Sequence, residues 1–592
     1  MKDTALKLFK IKILPLVAAV VSVSAISVFS GTSTTNIFPL LFLIAFYNLF
    51  KSVSFIKEKK VIIVSNVLGV IYTISLVFTS LSYILSLSNI TERIGTFILY
   101  CVGFYFLFKN IIAFLCLNLL KRYVFMDWKY TKKRSVILFF IFTAVMLLCW
   151  LPYFLKDFPA NVTSDSNTQL LQAIGKEPLS NHHPVAHTLV IRLFFKLGML
   201  LFNNQNLALA TYSVCQAILL SMSFAFLLIT MYKYNVNKII MAVTLVFYAV
   251  TPYHAVYSMT MWKDIWFGGI VLVLTTTIWR VIKHFEAENK NTPIFETVLL
   301  LIFGVAMCLF RSNGWYAYLV FAPFVFFVFK KKSLCIALTA LAVIPIAFIV
   351  KGPIYNSLNV IEVDTIESLS IPAQHIARAI TDGAELTDEQ EALLSEVVDI
   401  SEIPNRYQGV ISNPIKNLVR ETDNQDFIDK NKGKFLKLWI DLGIKNPKSY
   451  LMAQIDQTYG YWYPDVQYWV IAEEFSNTDM DYYRDPILPQ DTVEEFNEYV
   501  NSYRKIPLYG LLWSIGAFTW VFIFSGGLCY IKQKNIYLIM YIPMLAILGT
   551  LIIATPVYAE FRYIYPIFTT MPLFLAAPFV GYKSKENIEK EI

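Results

Sequence analysis

The sequence predicts an all-α, polytopic membrane protein with about 14 transmembrane helices. Three observations predict it. The 592 residues are 56% hydrophobic and only 16% charged, against about 45–50% and about 25% in soluble domains, and the mean hydropathy is +0.55. Apolar runs are long enough to span: VIIVSNVLGVIYTISLVFTSLSYIL at 61–85 exceeds the roughly 20 residues a spanning helix needs. Basic residues gather in short loops between such runs, so the net charge of +8 reports topology and not a nucleic-acid partner.

Taken in order, the spans fall near 13–30, 37–50, 61–86, 95–119, 135–155, 206–231, 238–258, 265–282, 294–310, 315–329, 334–350, 507–530, 536–554 and 563–581. The second is short enough to be re-entrant. Residues 13–30 read as a first span and not as a cleavable leader, because no clear small-residue cleavage site follows. The seven cysteines all lie in apolar segments without metal-type spacing, which predicts small apolar residues and not disulfides.

The loops alternate in charge. MKDTALKLFKIK, KSVSFIKEKK, KRYVFMDWKYTKKR, YKYNVNK, KHFEAENK, KKKS, KQKN and the KSKENIEKEI tail share one side, which the positive-inside rule makes cytoplasmic. The opposite, extracytoplasmic side receives SNITERI, the stretch NVTSDSNTQLLQAIGKEPLSNHHPVAHTL, SMTMWKD, RSNG, a long segment at 351–506, and TPVYAEFR.

Four units follow: an N-terminal four-span module (1–132), a membrane core (133–350) with an outer loop at 156–205, an extracytoplasmic segment (351–506) and a C-terminal three-span segment (507–592). The segment 351–506 holds roughly two-thirds of the Asp and Glu and, at about 155 residues, has the size of one domain. SIPAQHIARAI at 370–380 and LTDEQEALLSEVVDI at 386–400 read as amphipathic helices, with a capping box at Thr387 and Gln390. NPKSYLMAQIDQTYGYWYPD at 446–465 reads as a helix running into an aromatic turn. VAHTLVIRLFFKLG carries His187, Arg192 and Lys196 along one face and reads as an interfacial helix.

Conspicuous polar residues crowd the outer ends of the spans: Asp165, Gln169, His182 and His183 in the first long outer loop, Lys263 and Asp264 in MWKDIW, Arg311 and Asn313 in LFRSNGWY, Glu560 and Arg562 in AEFRYIYP, and Gln374, His375 and Arg378 in the outer domain. Charges so near hydrocarbon are costly unless paired or solvated, which makes them candidates for a site. Lys263–Asp264 and Glu560–Arg562 also fit as interfacial ion pairs. No metal or cofactor is assigned, although Asp165 with either histidine supplies donor types that a divalent ion accepts.

A span ending outside, an aspartate loop, a helix with Gln169 and Gln172, a His-Pro element at His182, His183 and Pro184, and an interfacial helix together resemble the first outer loop of the GT-C-fold glycosyltransferases. These include the protein O-mannosyltransferases and aminoarabinose transferases. The chain also resembles, over about 135–592, a group of bacterial membrane proteins with SDS, HHP, WKD, FRSNG and EFRY blocks. The resemblance implies a GT-C-like core and a polyprenyl-phosphate (undecaprenyl-phosphate type) sugar donor. It implies an extracytoplasmic glycan or protein acceptor, such as a cell-envelope polymer, and Asp165 as the base. Arg311, Arg378 and Arg562 would then hold the donor phosphate, with Gln169, His182, His183, Lys263, Asp264, Asn313 and Gln374 lining the substrate site. The loop departs from the pattern in following the fifth span instead of the first, and in having serines, not a second carboxylate, beside Asp165. Alternatives are a lipid-linked-sugar flippase or transporter and a polysaccharide polymerase or ligase.

Overall fold

In the computed structural model, residues 13–33, 35–120, 130–466, 470–471, 475–477 and 480–580 are described. The basic segment 1–12, most of the 121–134 loop and the C-terminal tail, all assigned to the cytoplasm from sequence, lie outside the described residues. Among the described residues the only β structure is three isolated bridges.

The N-terminal module comprises α1 (Leu14–Phe29), α2 (Phe38–Ser52), α3 (Lys59–Thr79) and α4 (Ile90–Leu120). The core follows with α5 (Lys132–Lys156), α6 (Ser164–Ile174), α7 (Val185–Phe202), α8 (Gln205–Lys233), α9 (Lys238–Val250) and α10 (Pro252–Met259). It is completed by α11 (Lys263–Glu286), α12 (Ile294–Phe310), α13 (Ser312–Phe329) and α14 (Leu334–Ile349). The outer domain is helical, with α15 (Ser370–Thr381), α16 (Lys432–Lys445) and α17 (Pro447–Thr458). The C-terminal segment holds α18 (Ile515–Lys532), α19 (Ile542–Ala554) and α20 (Tyr565–Ala576).

Among the described residues, ten helices are long and apolar enough to cross a membrane, or up to eleven if α9 and α10 form one span bent by 49°, so the chain is a multi-pass, all-α protein. The bend has a local cause. Pro252 cannot donate to the helix ladder, and Thr251 before it is extended, as residues preceding proline prefer. About 14 spans were expected. The difference comes from short elements: α1, α2 and α12 are apolar but have 16, 15 and 17 residues, and α20 has 12. In the other direction, α7, expected to lie along the interface, is counted among the ten by length and composition.

Helix α11 is the axis of the core. Nearly all of it is buried, and it packs against α8, α12 and α20, so a helix that is apolar all round reads as an interior one. The N-terminal module does not stand apart: Tyr72 of α3 stacks on Trp520 of α18 at 4.4 Å, and Lys532 donates to the carbonyl of Leu119 at 2.9 Å. In the outer domain Thr387 and Gln390 make the expected capping box, around a small apolar core that includes Ala377, Leu394 and Leu418.

The outer segment grips two other parts of the chain. Its residues 410–412 pair with 556–558 through Tyr558 N–H to Val410 C=O (3.0 Å) and Ser412 N–H to Pro556 C=O (2.9 Å). Its later residues reach the first outer loop: Ser476 N–H donates to Val162 C=O (2.7 Å) and the Tyr482 hydroxyl to Asn167 (2.6 Å).

Candidate active site at the ends of the core helices

Helix α6 begins at Thr163, whose extended backbone serves as N-cap, and ends at Gly175 in the left-handed conformation, which glycine adopts without strain. Asp165 therefore lies in the first turn, where the helix dipole favours a carboxylate. The turn is pinned to the start of α11. The Ser166 hydroxyl donates to Met261 C=O at 2.6 Å, and the Trp262 indole to the Thr163 hydroxyl at 2.8 Å. Asn161 forms a short bridge with Thr260. Behind it lies the buried pair Lys156–Asp157 (2.8 Å), with Arg484 on the same carboxylate (2.6 Å).

Arg562 arrives from the other end of the chain and donates to Asp165 Oδ2 at 2.9 Å. Its Nε lies 3.3 Å from Glu560, and its guanidinium sits over the Trp262 ring at 4.8 Å. Lys263 Nζ donates to His183 Nδ1 at 3.0 Å. Arg311 forms an ion pair with Asp264 and lies over the Tyr563 ring at 4.5 Å. Three cations, three carboxylates and one histidine thus converge from four distant stretches of sequence.

Exposure separates the carboxylates by role. The Asp264 and Glu560 side chains are 1% and 4% exposed, whereas Asp165 is 34% exposed. Only Asp165 is open to a substrate; the other two neutralise and orient arginines. Burial pushes the Asp165 carboxyl up, but Lys263 and Arg562 outweigh it and hold the group well below the usual carboxylate range. Burial and the neighbouring Lys263 pull His183 down to about 2, so it is a neutral acceptor for the lysine at physiological pH. Burial raises Glu560 despite Arg562. It also opposes the charge on Arg562, yet Glu560 and Asp165 hold that guanidinium above the ordinary arginine range.

Not every sequence candidate joins the cluster. His182 packs its ring edge-on to His183 at 4.7 Å. Gln169 is buried and braces His187 (2.9 Å) and Thr188 (3.0 Å); it supports the wall and does not face the site. Asn313 lies beside Arg311 with both amide atoms buried and unpartnered by protein. Gln374 and Arg378, expected to contact substrate and donor phosphate, have other partners. Gln374 bonds Gln408 C=O (2.8 Å) and Gln457 (2.9 Å), and Arg378 pairs with Asp382 (3.0 Å) and Asp456 (3.1 Å). Gln374 is buried within the 351–506 segment, and Arg378 ties Asp382 and Asp456 together at its part-exposed surface. Lys263 and Asp264 are neighbours in sequence but not partners; consecutive helical residues point apart, and each finds its partner on another segment. Glu560–Arg562 is a real pair.

The Tyr and Trp of YGYWYPD read from sequence as flat faces for stacking on sugar rings or as an interfacial belt; the supporting role of Tyr461, and that of Tyr212, was not foreseen. The Tyr461 hydroxyl, in the YGYWYPD run, donates to Val557 C=O (2.9 Å) and accepts from Glu560 N–H (3.2 Å), so it holds the strap that carries Arg562. His187 lies within hydrogen-bond reach of Tyr212 (2.8 Å), which donates to Gln216, whose amide bonds Thr260 C=O (2.7 Å). The signal available was the density of Tyr and Trp around WKD and EFRY.

The chain belongs to a family of unknown function, DUF6020. Its sequence profile matches residues 173–591. The match takes in the histidine pair, Lys263, Asp264, Arg311 and Arg562; Asp165 and the N-terminal module lie before it. No curated protein and no solved structure matches the chain.

Proposed function

We infer that the protein is an integral membrane glycosyltransferase. It would move a sugar from a polyprenyl-phosphate donor to an extracytoplasmic acceptor such as a cell-envelope polymer, on a GT-C-like core. The observation that carries the reading is Asp165, the most exposed of the cluster's three carboxylates among the described residues, held 2.9 Å from Arg562 with Lys263 and Arg311 at the neighbouring helix ends. A lipid-linked donor keeps its tail in the bilayer and offers sugar and phosphate at that level.

The chemistry follows from the charges. The acceptor hydroxyl gives its proton to Asp165. Its oxygen bonds to the anomeric carbon, and the bond from that carbon to the phosphate oxygen breaks, with inversion. The polyprenyl phosphate leaves with the electron pair, and Arg562 and Lys263 stabilise the added charge. Before the donor binds, Asp165 is a weak base because those same cations hold it ionised. A donor phosphate draws Arg562 and Lys263 toward itself, which raises the carboxylate's affinity for a proton. Base strength is thereby coupled to donor binding.

The test is the sugar composition of envelope polymers in the parent, a deletion and an Asp165→Asn strain at matched protein level. The expected result is that one sugar substituent is lost in the deletion and falls about 10²–10⁴-fold in its rate of addition in the variant, the range for removing a general base. A sugar lost in the deletion and kept in the variant would replace transfer by export or assembly.

A further inference from the structure

A second cavity, of about 440 Å³, lies away from the Asp165 cluster, where the outer end of the N-terminal module meets the outer domain. Phe29, Tyr83, Tyr100, Tyr459 and Tyr463 surround it. Tyr83 is half exposed and stands at its mouth. Asp456 contributes a carboxylate whose Oδ2 is fixed by Arg378 at 3.1 Å, and Ser82 adds a hydroxyl, while that of Ser80 is donated to Leu76 C=O (2.7 Å). Among the described residues, no Lys, Arg or His lines it. Flat rings with a few oriented oxygens and no cation suit a neutral, polyhydroxylated ring and not a phosphate.

An apolar groove of about 270 Å³ adjoins the cavity, the two sharing Ile455 in their walls. On α3 the groove is lined by Ile71, Ile74 and Phe78, and the cavity by Thr79 and the residues after it. The positive-inside assignment puts the Thr79 end of α3 outermost, so the groove runs one to two turns deeper into the membrane. The polar side chains in its wall are turned onto backbone. Ser75 donates to Trp462 C=O (2.9 Å), Gln454 to Ile552 C=O (2.6 Å) and Thr519 to Tyr461 C=O (2.8 Å). Thr458 likewise donates to Gln454 C=O (2.6 Å), which leaves aliphatic side chains, Phe78 and the Trp462 and Trp520 rings along the groove.

A polar, ring-lined chamber with an apolar groove beside it, one to two helical turns deeper, matches an amphiphile. We propose that the pair binds a glycolipid with an uncharged sugar headgroup, the sugar among Tyr83, Tyr459 and Tyr463 and the tail along Phe78 and Trp520. The site would act whether or not the Asp165 cluster transfers sugar.

The test uses the full chain in phosphatidylcholine nanodiscs carrying equal diglucosyl-diacylglycerol, phosphatidylglycerol and diacylglycerol. Native mass spectrometry then counts the lipids retained. Diglucosyl-diacylglycerol is expected to be retained about tenfold over both others, with no loss in Asp165→Asn. Tyr83→Ala with Tyr459→Ala is expected to abolish that preference, and Tyr83→Phe with Tyr459→Phe to keep it, which separates lost stacking from misfolding. Ile74→Trp, which fills the groove, is expected to lower retention. Equal retention of the three lipids would overturn the proposal. So would displacement by free maltose as effective as displacement by the glycolipid, since the tail would then contribute nothing.

Discussion

Arg562 answers to two carboxylates, one buried and one open. On the proposed reading, Glu560 would keep it charged and oriented once the Asp165 contact is given up to a donor phosphate. Arg562→Ala is expected to raise the apparent KM for the polyprenyl-phosphate donor by about 10- to 100-fold and that for the acceptor little, the cost of one charge-assisted contact of about 1.5–3 kcal/mol. Steady-state kinetics with each substrate varied checks this, and equal effects on both would mark a structural role. His183 gives a pH prediction. Its folded value of about 2 lies below its ordinary 6.5, so between those values the unfolded chain binds the extra proton. Its contribution to stability is therefore complete above about pH 6.5 and is lost as pH falls, by at most about 1.4 kcal/mol per unit. Thermal unfolding from pH 7.5 to 5 is expected to fall more steeply for the parent than for His183→Asn.

At the scale of elements, the strap 555–562 sets the site. It is held between the outer domain's residues 410–412 and the Tyr459–Tyr461 turn, and that turn approaches closely because residue 460 is glycine. A Cβ there would collide with Ala559 and come within 2.5 Å of the Tyr558 carbonyl. Gly460→Ala is expected to cost about 1–3 kcal/mol, as overpacking does, and to lower transfer by moving Arg562 without touching it. Melting temperature and activity measured together check the pairing of effects; unchanged activity in a destabilised protein would separate the turn from the site. The same run explains why the aromatic motif is dense: Tyr461 holds the strap, while Tyr459 and Tyr463 face the second cavity.

For the whole molecule, every charged member of the cluster stands at the end of a helix or in a loop that charge alternation puts outside. A cysteine at Glu389 in the outer domain is expected to react with a membrane-impermeant maleimide in intact cells, and one at Lys331, between α13 and α14, only after lysis. The reverse pattern would invert the topology and put the site in the cytoplasm. The N-terminal module, which precedes the family match, docks through Tyr72 on Trp520 and supplies one wall of both cavity and groove. Its place in the molecule is thus tied to the second site more directly than to the first.

Composition by itself determined the all-α membrane class, and the sequence the Thr387 cap, because hydrophobic period and capping are local properties of a short stretch. The sequence also singled out Asp165, His183, Lys263, Arg311 and Arg562 by the cost of charge near hydrocarbon. Span count was less legible, since a 12-residue α20 or a proline-broken α9 and α10 reads as apolar as a full crossing. Partnership was not legible at all. Lys263 and Asp264 are adjacent in sequence and face different partners, and Gln374 and Arg378, apparent site residues, serve the outer domain itself. Only the tertiary structure joined residue 165 to residue 562, because that contact depends on how an outer domain of about 155 residues grips two loops at once, and no local pattern encodes the position of a remote clamp.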